Sequence, residues 1–370
     1  MNLSYWEYKT WLSDTDFTVI GSGIVGLNCA LQLRRNHPYS KIIVLEKGFL
    51  PQGASTKNAG FACFGSVSEL ISDLQSHSEE EVFELVKNRW EGLQLLRQTL
   101  GDSNIDYQNK KGFELFLSKE EFEKCEDQIA YLNTLLKSLF PKSVYSVSGN
   151  LFDFQNIAPN YIVNQYEGQI DSGMMMQSLL QKAQSEGIIV VNGIEVHSIE
   201  NTGNSVHLET TFGGINTKIV CVATNGFAKN LLDVDTKPAR AQVLITKPIP
   251  NLRIEGTFHL DEGYYYFRNI HNRILFGGGR NLDFKTEETT TFGQTETVQN
   301  KLEELLSTVI LPNQEFEIDQ RWSGIMGVGN QKKAIVQSIN DRVFCGVRLG
   351  GMGVAIGPLV GKELAKLASA

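Results

Sequence analysis

Three glycines at 21, 23 and 26 stand between an apolar run at 17–20 and a helix-periodic run at 24–35, and few folds have a use for that order. Gly21-Ser22-Gly23-Ile24-Val25-Gly26 is a GxGxxG turn that follows a strand, opens a helix and leads to a second apolar strand at 41–46. Strand, turn, helix and strand in so short a span make a parallel βαβ unit. The first glycine permits the tight turn, the second lets backbone approach a pyrophosphate, and the third lets the helix pack closely. The anion then meets unpaired amides at the helix start, so Ser22, Ile24 and Val25 join the glycines as candidate cofactor contacts.

Glu46, followed by Lys47, ends the second strand twenty residues beyond Gly26. A carboxylate there accepts hydrogen bonds from ribose hydroxyls and repels a 2′-phosphate, which favours FAD or NAD over NADP. A second candidate contact is Gly53-Ala54-Ser55-Thr56-Lys57-Asn58-Ala59-Gly60, whose small residues admit a flat ring or pyrophosphate and whose hydroxyls and amide can bond it. A third is Arg348-Leu349-Gly350-Gly351-Met352-Gly353-Val354-Ala355, ahead of a last helix whose N-terminus can face developing negative charge.

With 370 residues the chain is long enough for one large domain and a second lobe. Lys and Arg number 34 against 42 Asp and Glu, a net charge of −8 with no basic cluster, which argues against a nucleic-acid partner. No apolar run approaches the ~18 residues of a membrane span, and the N-terminus lacks a basic-then-apolar signal pattern, so a cytoplasmic protein is expected. Cys29, Cys63, Cys125, Cys221 and Cys345 form no CxxC and are expected as buried free thiols. The six histidines show no metal-ligand spacing, and no metal site is expected.

Ser78 and Glu81 form a capping box ahead of a helix lined by Val82, Val86, Leu93, Leu96 and Leu100, and Phe122, Cys125, Ile129, Leu132 and Leu136 mark another. Between them, residues 112–118 alternate like a strand at the edge of a separate lobe, and the polar stretch at 146–150 returns the chain to the first domain. Beyond Pro238 the chain turns β-rich, with runs at 241–246, 264–268 and 273–279 and one amphipathic helix around 298–310; a last helix spans 357–368. The fold class is therefore α/β: a Rossmann-like domain of discontinuous segments (1–85, 150–235, 328–370) with a second, antiparallel-sheet substrate lobe (86–149, 236–327).

The order GSGIVG, Glu46, GASTKNAG, ATNGFA (223–228), RWSGIMG (321–327) and GGMGVAIGPLVG (350–361) resembles the D-amino-acid oxidase family of FAD-dependent oxidoreductases, most of all its glycine oxidase, sarcosine oxidase and gamma-glutamylputrescine oxidoreductase branch. The resemblance implies an extended FAD with an amine or amino-acid substrate between the flavin and an antiparallel sheet. It places Gly21, Gly23 and Gly26 on the pyrophosphate, Glu46 on the ribose, and Ser55, Thr56, Lys57, Asn58, Ala59 and Gly60 beside pyrophosphate and flavin. Val196 falls at the adenine. Ala223, Thr224, Gly226 and Gly324 close over the cofactor, and Gly351, Met352, Gly353, Val354 and Ala355 meet the ring's pyrimidine end.

The departures bear on substrate. Where relatives commonly carry arginines for a substrate carboxylate, this chain has Met326 and, in the last glycine loop, Gly351 and Met352. Arg240, Arg268, Arg280 and Arg348 remain as cations. Alternation puts Tyr264, Tyr266 and Arg268 on one face of a strand, and the candidate substrate residues are Tyr264, Tyr266, Arg268, Arg280 and Arg348. Relatives that attach flavin covalently do so through a cysteine after the WxG motif; none lies between Trp322 and Phe344, so noncovalent FAD is expected. The run at 273–279 also lacks the lysine some of these oxidases use toward oxygen, and the electron acceptor, oxygen or another, stays open, as does the oligomeric state. The leading expectation is oxidation of an amine or amino acid by hydride transfer to flavin N5. The alternatives are an NAD-linked dehydrogenase and a flavin-binding member without amine oxidase activity.

Overall fold

Thr15–Ile20 is buried along almost its whole length, as a strand with neighbours on both sides and layers on both faces must be. In the computed structural model, which describes residues 3–370, it lies at the centre of a sheet ordered Ile335–Ser338, Val343–Val347, Gly213–Val222, Thr15–Ile20, Ile42–Glu46, Ile189–Asn192. All neighbours in that order are parallel except the first pair. Helices Ile24–Asn36, Glu79–Leu100, Ser172–Ser185 and Gly353–Leu367 bury Leu27, Leu31, Leu93, Leu179 and Leu364 against one face. The other face is covered by a meander in which Val196–Asn201, Val206–Thr210 and Gly213–Val222 pair antiparallel.

A second sheet runs Ile318–Val328, Lys237–Thr246, Arg273–Gly278, Tyr265–Ile270, Thr257–Leu260, Gly112–Glu114, Asn160–Asn164, Tyr145–Gly149. It is antiparallel apart from the parallel contact of Thr257–Leu260 with Gly112–Glu114, so it is mixed rather than purely antiparallel. Helix Glu296–Leu305 and the π-turn Leu306–Ile310 cover one face, with Phe258, Phe267 and Phe276 in that core. The opposite face lays Trp322, Val243, Leu275 and Tyr266 on Ala59 and Phe61 of the first domain's glycine-rich loop.

Several local expectations are corrected. Residues 112–118 form only a three-residue strand, Gly112–Glu114, and it lies inside the sheet. The polar stretch at 146–150 is the sheet's edge strand, and the sheet keeps the chain until Asn164, because Ile162 and Val163 pair back across Gly112–Glu114. The helix around 122–136 is two short helices, Lys119–Glu126 and Ile129–Leu135, that still bury Phe122, Cys125 and Leu132. The last helix starts at Gly353. All five cysteines are free and buried. Among the described residues no helix is long and apolar enough to cross a membrane, and no cluster of three His, Cys, Asp or Glu side chains suits a metal ion.

Candidate active site

The site begins at the turn after Thr15–Ile20. Gly21 has a φ of 103°, a region glycine enters without strain, and a Cβ there would stand 2.9 Å from the Ala223 carbonyl oxygen. A Cβ on Gly26 would overlap the carbonyl oxygen of Gly21, so the helix can sit this close to the turn only without one. Gly23 is the N-cap of Ile24–Asn36 and offers no side-chain cap. The Ile24 amide donates instead to Ser55 Oγ at 3.0 Å, which brings the second glycine-rich loop to the helix N-terminus, where an anion is favoured. The Ile24 and Val25 side chains turn inward onto Gly357 of the C-terminal helix, and Gly361 of that helix abuts the Val25 carbonyl.

Glu46 is buried. Its Oε2 accepts from the Ser22 amide (3.1 Å) and hydroxyl (2.8 Å), and its Oε1 from the Gly48 amide (3.0 Å). The Glu46 carbonyl receives the Ile194 amide, which starts the chain toward Val196 in the same apolar cluster as Leu45. Lys47 turns outward to Glu195 at 2.6 Å.

The loop from Ala54 to Gly60 is fastened at each step. Thr56 donates to the Pro51 carbonyl (2.7 Å), the Lys57 carbonyl receives Trp322 Nε1 (2.9 Å), and Asn58 Oδ1 receives the Gly60 amide (2.9 Å) and the Ser172 hydroxyl (2.7 Å). A Cβ on Gly324 would lie 2.9 Å from Lys57 Cβ, so this glycine lets the second sheet close on the loop. Ala223 donates to the Ile20 carbonyl (2.9 Å), Thr224 Oγ1 is buried without a hydrogen-bond partner, and Gly226 abuts the Met326 carbonyl. Gly351, Met352 and Gly353 bring the last helix to the Cys63 side of the loop, with Cys63 Sγ 3.7 Å from Met352 Sδ, while Val354 and Ala355 are buried in its first turn.

An adenine dinucleotide fits these residues. Gly53, Gly350 and Gly351 each have open space where a Cβ would stand, Thr224 holds a buried hydroxyl without a partner, and the helix N-terminus and Glu46 supply the groups that suit a pyrophosphate and a ribose.

On the second sheet, alternation holds for Tyr266 and Arg268, which share the face toward the loop, whereas Tyr265 and Phe267 enter the opposite core. Tyr264 precedes the strand and packs with that opposite core. Arg280 lies 5.7 Å from the Tyr264 ring and 5.0 Å from that of Phe284. Arg348 is bound to Asp235 Oδ2 (2.5 Å) and the Lys333 carbonyl (3.0 Å), and Arg240 makes a two-pronged pair with Glu287 (2.7 and 3.1 Å). Arg268 differs from all three. It is 3 % exposed and makes no hydrogen bond or ion pair among the described residues, and its Nε is fully enclosed. Burial presses its pKa down to about 10 against the more distant Asp171 and Asp106.

Sequence reasoning missed a polar stripe on the same face. His259 Nε2 lies 2.5 Å from Glu167 Oε1, which also accepts from Thr257 Oγ1 (2.8 Å), and Glu114 receives the Val67 amide (2.9 Å) and the Ser68 hydroxyl. Burial opposes charge on His259, but Glu167, with Glu69 and Glu114 beyond it, lifts the imidazole to about 9; burial raises Glu114. His259 meets the edge of Phe61 at 5.3 Å, and Phe61 meets Tyr266 at 5.7 Å. The only sequence signal was His259 in alternation with Phe258 and Leu260; nothing local marks Glu167 as its partner.

The fold and the site together define a protein of the dinucleotide-binding type, with a second sheet closed over the loop from Ala54 to Gly60. The chain belongs to the FAD dependent oxidoreductase family, whose sequence profile matches residues 16–367. It is 22 % identical to a probable oxidoreductase, OrdL, of Haemophilus influenzae, covering 96 % of this chain and 83 % of that one. Among solved structures, a glycine oxidase from Geobacillus kaustophilus superposes with a TM-score of 0.77 at 19 % identity, covering 95 % of this chain and 94 % of the other. L-proline dehydrogenase from P. horikoshii gives 0.75 at 18 %, covering 95 % and 92 %. At such identities these likenesses establish a shared fold.

Proposed function

We propose that the protein is an FAD-dependent amine or amino-acid oxidoreductase of the glycine oxidase-like branch, with FAD held noncovalently. The observation that carries this reading is the apolar and aromatic face of the second sheet, Phe61, Tyr266, Leu275 and Trp322, clamped onto the cofactor loop through Trp322 and Lys57. In this reading Gly21, Ser22, Gly23 and the Ile24 amide hold the pyrophosphate, Glu46 the ribose, the loop from Ser55 to Gly60 the middle of the cofactor, and residues 351–355 the far end of the ring. The parallel-sheet segments form the cofactor domain, and the second sheet with helix Glu296–Leu305 forms the substrate lobe.

When bound, FAD supplies a two-electron acceptor at N5 for a hydride from the carbon that bears the amine. The chain's own residues orient the neutral amine and exclude water: Phe61 and Tyr266 meet edge to face, and Trp322 holds its ring against the loop. Loss of a hydride and a proton leaves the substrate as an imine, which water converts to a carbonyl compound and free amine. No separate strong base is needed once the amine is neutral. Tyr266, whose hydroxyl burial pushes to about 12, stays protonated and serves as a donor.

The test is the purified protein itself. It is expected to carry oxidisable flavin released by heat or acid, and to bleach anaerobically with at least one of glycine, sarcosine, D-amino acids, proline, polyamine derivatives or simple amines. A flavin-free protein that binds NAD would overturn the assignment, flavin retained after denaturation would overturn its noncovalent part, and a flavin that no amine reduces would leave a binding protein without amine oxidase activity.

A further inference from the structure

An amine gives up a hydride as the neutral base, so the proton of an ammonium substrate needs a way out of a site that excludes water. The face of the second sheet carries groups that the reading above does not use. His259 lies directly across from Tyr266 and edge-on to Phe61, with Nε2 on Glu167 and no hydrogen bond at Nδ1 among the described residues. Glu167 Oε2 lies over Gly112, which has no side chain to fill the space there, and Glu114 stands two residues further along the same strand. Asn164 pairs with Gly112 from the other side. It is 4 % exposed, its Oδ1 accepts the Tyr166 amide, and its Nδ2 has no partner. With Ser66 and Tyr145 these side chains enclose a cavity of about 10 Å³, room for one water molecule and polar enough to hold it. Glu114 in turn accepts from the hydroxyl of Ser68, which is half-buried at the edge of solvent.

We propose that one water molecule bridges Asn164, Glu167 and Glu114, and that His259, Glu167, this water, Glu114 and Ser68 form a path that carries the substrate's ammonium proton to solvent. The inference rests on the amine-oxidoreductase reading above and adds proton removal to it. In the neutral imidazole Nε2–H donates to Glu167. The ammonium proton then goes to Nδ1, the Nε2 proton goes to Glu167, and each later group gives one proton as it takes one. An N–H bond of the ammonium breaks, an O–H bond forms in solvent, and the amine keeps the electron pair it needs when its carbon loses hydride to the flavin. Burial opposes charge on His259, and Glu167, Glu69 of helix Val67–Leu74 and Glu114 lift it to about 9. That value lies between an α-amino group at about 8 and a lysine-type ammonium at about 10.4, so the transfer is nearly balanced in energy. Tyr266, Tyr145 and Cys63 stay protonated because burial raises all three, and Arg89 on the Phe64 carbonyl is the cation that acts on Tyr145 and Cys63.

The experiment takes each amine that bleaches the flavin in the screen above and follows anaerobic reduction of the FAD-loaded protein through the His259 titration, which NMR of the histidine ring nitrogens reads separately. A crystal structure of the same protein reads the cavity. A water molecule is expected on Asn164 Nδ2, and the limiting reduction rate should rise with pH through the His259 ionisation, because the protonated imidazole cannot accept. Ser68→Ala should slow reduction about tenfold, and His259→Gln about a hundredfold with loss of the pH step, both at unchanged flavin content. Added imidazole buffer, a diffusible proton acceptor, should restore much of the Ser68→Ala rate and leave the wild-type rate alone. A dry cavity in the wild-type protein overturns the proposal even if the variants do not fold. So does a Ser68→Ala rate equal to wild type, or a loss that imidazole leaves in place, since a base does not repair a structural defect. Any of those results alongside reduction by an amine spares the functional reading; absence of flavin, or of reduction by any amine, sinks both.

Discussion

Gly26 shows how little room the dinucleotide turn leaves at single residues. Because its added Cβ would overlap a backbone oxygen rather than a movable side chain, Gly26→Ala should cost about 1–3 kcal/mol and lower flavin content, read from the flavin-to-protein absorbance ratio and the melting temperature. Gly149→Ala, on the edge strand of the second sheet with no neighbour nearer than 3.9 Å to its Cβ position, is the matched control and should change neither. Glu46→Ala should weaken FAD retention, since charge-assisted hydrogen bonds contribute about 1.5–3 kcal/mol each before water compensates; the limiting rate of flavin reduction in fully loaded enzyme should hardly move. Unchanged FAD affinity would mean that the carboxylate serves only Ser22 and Gly48. His259 predicts a pH dependence. Its folded-state pKa is raised to about 9, so the stability it contributes is fully present below the unfolded value near 6.5 and is lost as pH rises through about 9. Glu167, Glu114 and Glu69 are the carboxylates facing it, and the raised Glu114 acts in the same direction at lower pH, its destabilisation growing as pH rises above the ordinary carboxylate range. Denaturant unfolding at pH 6.5, 8 and 9.5 should show a decline that His259→Gln largely removes; an equal decline in the variant would place its cause elsewhere.

Among elements, the contact between helices Glu79–Leu100 and Gly353–Leu367 holds the last glycine loop in place. Val82, Val86, Leu93, Leu96 and Leu100 are all buried as their spacing requires, and Gly92 brings the helix onto the Ala355 carbonyl. Gly92→Ala should part the helices at the first turn after Met352, costing about 1–3 kcal/mol by overpacking and displacing the loop that would meet the ring. Lowered melting temperature together with faster FAD loss is the expected pair of results. Lowered melting temperature with unchanged FAD dissociation would show that the loop is held by other contacts, such as the Asn225 side chain on the Leu349 amide.

For the whole molecule, the cofactor would lie between two bodies with separate cores, one around the parallel sheet and one between the second sheet and helix Glu296–Leu305. A ligand that binds only the folded state stabilises it by mass action, about 2.7 kcal/mol when present at a hundred times its Kd. FAD added to apoprotein should therefore raise the melting temperature in a concentration-dependent way. It should also protect the loops at 48–58 and 349–352 from limited proteolysis. Protection confined to sites far from those loops would contradict the proposed position of the cofactor.

As local structure, the glycine turn at 21–26, Glu46, the small-residue loop and the late glycine loop were legible in the amino-acid order because each depends on local chemistry: a glycine where no Cβ fits, a carboxylate at a strand end, a helix start without a cap. The split α/β order was legible for the same reason, since apolar period and turn residues mark elements one at a time. Sheet partners are not marked in that way. Residues 145–164 joined the second sheet through pairing with Gly112–Glu114, and Tyr264 fell outside the strand whose alternation had placed it beside Tyr266. His259 met a glutamate 92 residues away. Four arginines looked alike in the sequence; folding brought Glu287 to Arg240, Asp235 to Arg348 and two aromatic rings to Arg280, and left Arg268 alone. A charge's partner is set by which distant strands and loops arrive beside it, and the sequence around an arginine carries no record of that arrival.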